Sequence, residues 1–87
     1  MRIVWDEPKR LANIEKHGWD FFDLEAAFFE DAVIRPAKNR RFFAFGRMAD
    51  RTLAVVFAHL GSEGIAVISM RPAKPAERRL YEQAKRI

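Results

Sequence analysis

Arg71 closes the run ISMR directly before Pro72, so its guanidinium projects from a strand end. Such a group grips phosphate through two parallel hydrogen bonds; alternatively it closes the core or pairs with an acid. Lys74, Arg78, Tyr81 and Lys85 follow at spacings of four, three and four, a basic stripe with one aromatic rung on a single helix face. Cations for phosphates beside a ring for base stacking suit an RNA-binding surface, but cations near a helix C-terminus also simply offset its dipole. His17, within Lys16-His17-Gly18, is of the type that exchanges protons near neutral pH, and it is equally a residue that ends a helix. Lys16 either neutralises phosphate or faces water. His59 ends the run LAVVFAH, where a half-buried strand position is expected.

Several chemistries are excluded or unsupported. Cysteine is absent, which removes disulfides, thiolate zinc sites and cysteine nucleophiles. Neither histidine has a second histidine three or four residues away or carboxylates clustered nearby, so no metal site is expected. Gly61-Ser62-Glu63-Gly64 lacks the spacing of a phosphate loop, and no cofactor is expected. The first 34 residues carry four Lys/Arg and eight Asp/Glu, the remainder twelve and four, so the basic charge belongs to the second part. That segregation suits a polyanionic partner and also an ordinary solvated basic surface.

The elements that must position these residues are legible from periodicity and punctuation. With 87 residues and 49% hydrophobic composition, one domain over 1–87 is expected to fold without staples. No apolar run reaches bilayer-spanning length and no signal peptide is evident, so no membrane association and a cytoplasmic location are expected. Ile3-Val4-Trp5 reads as a first strand, and Asp6-Glu7-Pro8 opens a helix that runs to about His17, with Gly18 in the left-handed position after it. Asp20 caps a second helix over about 21–29, whose Phe21, Leu24 and Phe28 recur at helical spacing as a buried stripe. Ala32-Val33-Ile34 forms a short strand. Three strands, 41–48, 52–59 and 65–71, then follow with short connections that imply an antiparallel meander. LAVVFA is apolar on both faces, as in a central strand whose second cover is not evident. Val67, Ser69 and Arg71 are expected to share one face. A last helix places Ala76, Leu80, Ala84 and Ile87 on its apolar side.

The order of motifs adds a resemblance. Trp5, Asp6, Lys9, Asn13, Lys16, His17 and Gly18 spell WDxxKxxxNxxKHG; WDFFDLEAAFFEDA resembles V-S-F-x-E-A-x-x-V-F-x-D; ISMRPAKPAERRLYE resembles I-I-S-A-R-x-A-x-x-x-E-R-x-x-Y-E. Together these resemble the BrnT toxins, the ribonuclease halves of BrnT/BrnA toxin–antitoxin pairs, over nearly the whole chain. The resemblance implies an α+β, RelE-like fold: a small twisted antiparallel sheet with two N-terminal helices and one C-terminal helix. It implies metal-free RNA cleavage that inhibits translation, and a BrnA-like antitoxin partner forming a hetero-oligomer with the toxin. Under that resemblance the catalytic candidates are His17, Arg71, Arg78 and Tyr81, and the RNA-binding candidates are Lys9, Lys16, Lys74 and Lys85. His17 or Tyr81 would transfer the proton, although a phenol is a poor base unless nearby cations lower its pKa. The family's polar stretch with His-Ser and Glu is replaced here by the shorter IRPAKNRRFFAFG, in which Lys38, Arg40 or Arg41 would supply only charge. A non-catalytic module that binds nucleic acid or protein through the same surface is the alternative.

Overall fold

The computed structural model describes residues 1–86. Along the chain run β1 (Arg2–Trp5), α1 (Glu7–His17), a 3₁₀ turn (Phe21–Asp23), α2 (Ala26–Asp31), β2 (Val33–Pro36), β3 (Phe42–Met48), β4 (Arg51–Leu60), β5 (Gly64–Pro72) and α3 (Pro75–Ala84). The strands form one sheet in the order β1-β5-β4-β3-β2. β2 to β5 make the expected antiparallel meander, since their short connections permit nothing else. β1 departs from the wholly antiparallel expectation: it lies parallel to β5, from Arg2 opposite Gly64 to Trp5 opposite Val67, and the sheet is mixed. No short loop joins β1 to its neighbour, so loop length left its direction open.

The expected helix over 21–29 is two pieces. The Asp20 carboxylate accepts from the Phe22 N–H at 2.9 Å and caps a single 3₁₀ turn, after which Leu24 is extended and α2 begins afresh. The break separates Phe21 and Leu24 from Phe28 and Phe29, yet all four are buried. These four pack with Ala44, Leu53, Val55, Phe57, Val67 and Met70 on one face of the sheet. Gly46 permits the closest approach there, because a Cβ on it would stand 2.9 Å from the Phe28 ring.

The second cover of β4 is α3. Tyr81 is buried against Val33, Phe45 and Ala54 on the opposite face of the sheet. The helix is therefore turned the other way from the sequence expectation: Ala76, Leu80 and Ala84 face solvent, and Ile87 lies outside the described residues. A tyrosine ring buries far more area than an alanine and keeps its hydroxyl at the rim, which decides the orientation.

Two hairpin loops carry left-handed residues without being glycine: Asn39 and Arg40 (φ 61° each) and Ala49 (φ 55°). For Ala this conformation costs about 1–2 kcal/mol, partly offset by the greater unfolded-state entropy of glycine. Ala49→Gly is expected to stabilise the protein by about 0.5–1 kcal/mol, seen as a rise in Tm of about 2–8 °C.

Candidate nucleic-acid site

α1 starts with Pro8 in its first turn and ends at Gly18 (φ 77°), whose N–H donates to the Ile14 carbonyl at 2.8 Å. Between them Lys9, Asn13, Lys16 and His17 recur at helical spacing and share one face. Asn13 fixes that face. β1 accompanies β5 only as far as Val67, and beyond it the buried Asn13 amide takes the place of a strand: its Oδ1 accepts from the Met70 N–H (3.0 Å) and its Nδ2 donates to the Met70 carbonyl (2.8 Å). Nδ2 also donates to the Trp19 carbonyl at 2.9 Å, tying down the chain just after the helix.

β5 contributes through a bulge. Val67 pairs with Phe57 and Ser69 with Val56, so Ile68 is an extra residue on this strand. The expectation that Val67, Ser69 and Arg71 share a face fails for this reason: Val67 and Met70 both point into the aromatic core, and Ser69 and Arg71 share the other side. Pairing then lays out two rows on that second face. Arg71, Ala54, Phe45 and Val33 lie under α3; Ser69, Val56, Phe43 and Arg35 form a neighbouring row that α3 leaves half-open.

At the edge of the open row is a cleft of about 370 Å³ in which Lys9, Asn13, Lys16 and His17 of α1 face Ser69 of β5 and Arg41 before β3. Three cations, an imidazole and a hydroxyl thus converge on one concavity. No carboxylate lines it. Such a cluster can hold a phosphodiester, stabilise charge developing on its oxygens and exchange a proton. Among the described residues no three His, Asp or Glu side chains are grouped so as to hold a metal ion.

Arg71 lies two residues from Ser69 on the same face. Its Nη1 and Nη2 donate to the two Glu77 oxygens at 2.8 and 3.0 Å, and Nη1 also donates to the Pro72 carbonyl at 3.2 Å. Glu77 in turn accepts from the Lys74 N–H at 2.8 Å, capping α3. This pairing lowers the Glu77 carboxyl pKa, chiefly through the hydrogen bonds from Arg71. Among the described residues, the Nε–H and the second Nη2–H of Arg71 have no partner, which leaves one edge of the guanidinium free for an anion.

The C-terminal stripe divides. Arg78 and Lys74 are exposed near the start of α3. Tyr81 donates from its hydroxyl to Asp31 at 2.7 Å, and Lys85 reaches the same carboxylate at 2.7 Å with its ammonium 5.6 Å from the Tyr81 ring centre. Burial, followed by the bond to Asp31, pushes the Tyr81 phenol pKa up, opposite to the cation-lowered phenol that proton abstraction would need. Lys9, Lys16 and His17 are therefore brought together, whereas Arg71, held by Glu77 on the row under α3, and Arg78, Tyr81, Lys74 and Lys85 do not line the cleft.

A family model described as the ribonuclease toxin BrnT of type II toxin–antitoxin systems matches residues 5–77. The chain belongs to the BrnT family. It is similar to the ribonuclease toxin BrnT of Brucella abortus, whose crystal structure matches with a TM-score of 0.81 at 49% identity, covering 85% of this chain and 97% of that one. No curated protein sequence matches. Within this BrnT chain, the residues that sequence reasoning left without a role are Ser69 and Asn13. Asn13 had a signal in its spacing, four residues after Lys9 and three before Lys16; Ser69 had none, because the bulge that turns it towards the cleft is invisible in the pattern.

Asn13→Ala removes three hydrogen bonds and strands the Met70 N–H and C=O. It is expected to cost about 2–4 kcal/mol in denaturant unfolding, and Asn13→Asp, which cannot donate to either carbonyl, no less. Glu77 is held below its ordinary pKa of 4.5, so its contribution is fully present above that pH and is lost as pH falls through the lower folded value. Glu77→Gln should accordingly lose about 1–3 kcal/mol at pH 7, with the gap to the parent protein closing as the pH falls below 4.5 and through the lower folded value.

Proposed function

We propose that this BrnT protein cleaves RNA without a metal ion, by attack of a ribose 2′-hydroxyl on its neighbouring phosphate. The observation that carries the reading is the cleft in which His17 stands with Lys9, Lys16 and Arg41 around Ser69. His17 takes the 2′-hydroxyl proton as the 2′-oxygen bonds to phosphorus. The 5′-oxygen departs with a proton from the Lys16 ammonium or from water, leaving a 2′,3′-cyclic phosphate. The free edge of Arg71 and the Lys16 ammonium stabilise the charge that builds on the phosphoryl oxygens, while Lys9 and Arg41 hold the flanking backbone. Arg78 and Lys74 extend that cationic track along α3. Tyr81 and Lys85 serve instead to dock α3 on Asp31.

Membership of a toxin–antitoxin family supports a cognate antitoxin, which we take to be BrnA-like and to neutralise the toxin in the cytoplasm by covering this cationic face. We also read the meander with α3 across its second face as RelE-like.

The test is cleavage of a single-stranded RNA by the purified protein in excess EDTA. Products ending in 2′,3′-cyclic phosphate and 5′-hydroxyl are expected, with His17→Gln and Arg71→Ala each slower by about 10²–10⁴-fold. Abolition of cleavage by the chelator would overturn the metal-free mechanism, and salt-sensitive binding of RNA that stays intact would identify a non-catalytic module.

A further inference from the structure

The half-open row Ser69–Val56–Phe43–Arg35 contains one aromatic ring. α3 leaves it half-open: Tyr81 packs on Val33, Phe45 and Ala54 of the adjacent row, and Phe43, at the margin of that cluster, stays partly exposed with Val56 and Ser69. Phe43 is stacked on the buried Phe45, with centroids 5.4 Å apart and planes inclined by 19°. One face of the Phe43 ring is thus held rigidly by the core. Its surroundings are cationic: Arg35 is its cross-strand partner on β2, and Arg41, two residues back along the chain, lines the cleft with His17 and Ser69. Neither the cleft nor this row contains an acidic side chain.

A ring fixed on one side, partly open and flanked by guanidinium groups is the arrangement on which bases of a single strand stack while their phosphates are neutralised. A duplex keeps its base faces covered and cannot use a ring recessed in a sheet. We infer that Phe43 is a stacking platform for one unpaired base of single-stranded RNA, adjacent to the phosphate held in the cleft, with Arg35 and Arg41 contacting the backbone beside it. This rests on RNA being the ligand of that cleft.

The experiment uses a labelled six-nucleotide RNA made uncleavable by 2′-O-methylation, with binding followed by anisotropy, so that its outcome does not depend on catalysis. Phe43→Leu should weaken binding by about 5- to 100-fold, the range for loss of one stacked base, and Phe43→Tyr should bind like the parent. A set of oligomers with a single abasic site at each position should contain one that binds the parent protein more weakly by the same factor and Phe43→Leu no more weakly than the intact strand does. In the parent protein, a 5-iodouracil at that position should photo-crosslink to the peptide carrying Phe43, which keeps the test independent of how the variants fold. Unchanged binding by Phe43→Leu, a crosslink mapping elsewhere, or abasic and Phe43→Leu losses that multiply at every position would overturn the inference. Cleavage of ordinary RNA by both the parent and Phe43→Leu at equal rates would overturn it while leaving the ribonuclease reading intact. Tight binding indifferent to every abasic site would point instead to a face built to be covered by an acidic protein segment.

Discussion

A single side-chain amide sets the geometry of the candidate site. Past Val67, β5 runs on without β1 beside it, and its Met70 N–H and C=O would be buried without partners had Asn13 not supplied both an acceptor and a donor. Because the amide sits on a helix, satisfying the strand also decides which face of α1 lies along it. The residues one turn to either side on that face are Lys9 and Lys16, with His17 next to the latter. A helical rise of about 1.5 Å per residue sets Lys9 and His17 about 12 Å apart along the axis, so the line of charge follows the strand edge over that length. The third bond, to the Trp19 carbonyl, holds the exit of the helix, so that Gly18 turns the chain at a fixed place.

The two carboxylates that meet cations on the second face have different consequences. Glu77 takes one end of the Arg71 guanidinium in a two-point bond, fixing its plane and leaving the other edge available. The same carboxylate caps α3, so the start of the helix and the direction of the arginine are one constraint. Asp31 instead gathers Tyr81 and Lys85, whose hydrogen bonds, that of Lys85 foremost, hold its carboxyl below the ordinary range. That group joins the end of α2 to the end of α3 and puts the phenol proton in a hydrogen bond to a carboxylate. A tyrosine so placed orients a helix, and its raised pKa disfavours the phenolate.

The sequence pattern carried the hairpin strands, α1 with its glycine stop and the burial of Phe21, Leu24, Phe28 and Phe29, though not the exposure of Phe22, because each of these is written in local periodicity and turn chemistry. What escaped it was set by contacts distant in sequence. β1 has no short connection to β5 and could have paired in either sense. α3 has an alanine–leucine stripe that looks apolar, yet Tyr81 offers more area to a surface made by β2, β3 and β4. At the site, Lys16 and His17 were legible as a helix end and Lys9 only through the resemblance; Arg41 could be read only as charge, since its place in the cleft depends on how the β2–β3 hairpin turns at Asn39 and Arg40.

The Ile68 bulge ties these features together. Without the inserted residue, β5 would keep strict alternation, and Ser69 and Arg71 would follow Val67 into a core of Phe21, Phe29 and Phe57, where a guanidinium would be buried without partners. With it, Met70 fills that core and shows its backbone to Asn13, while Ser69 and Arg71 emerge on the face where Phe43 and Glu77 wait. A strand that must serve an aromatic core at one end and a cationic site at the other needs a change of phase between them. One extra residue supplies it at a place where β1 has already ended and no neighbouring ladder on that edge is disturbed.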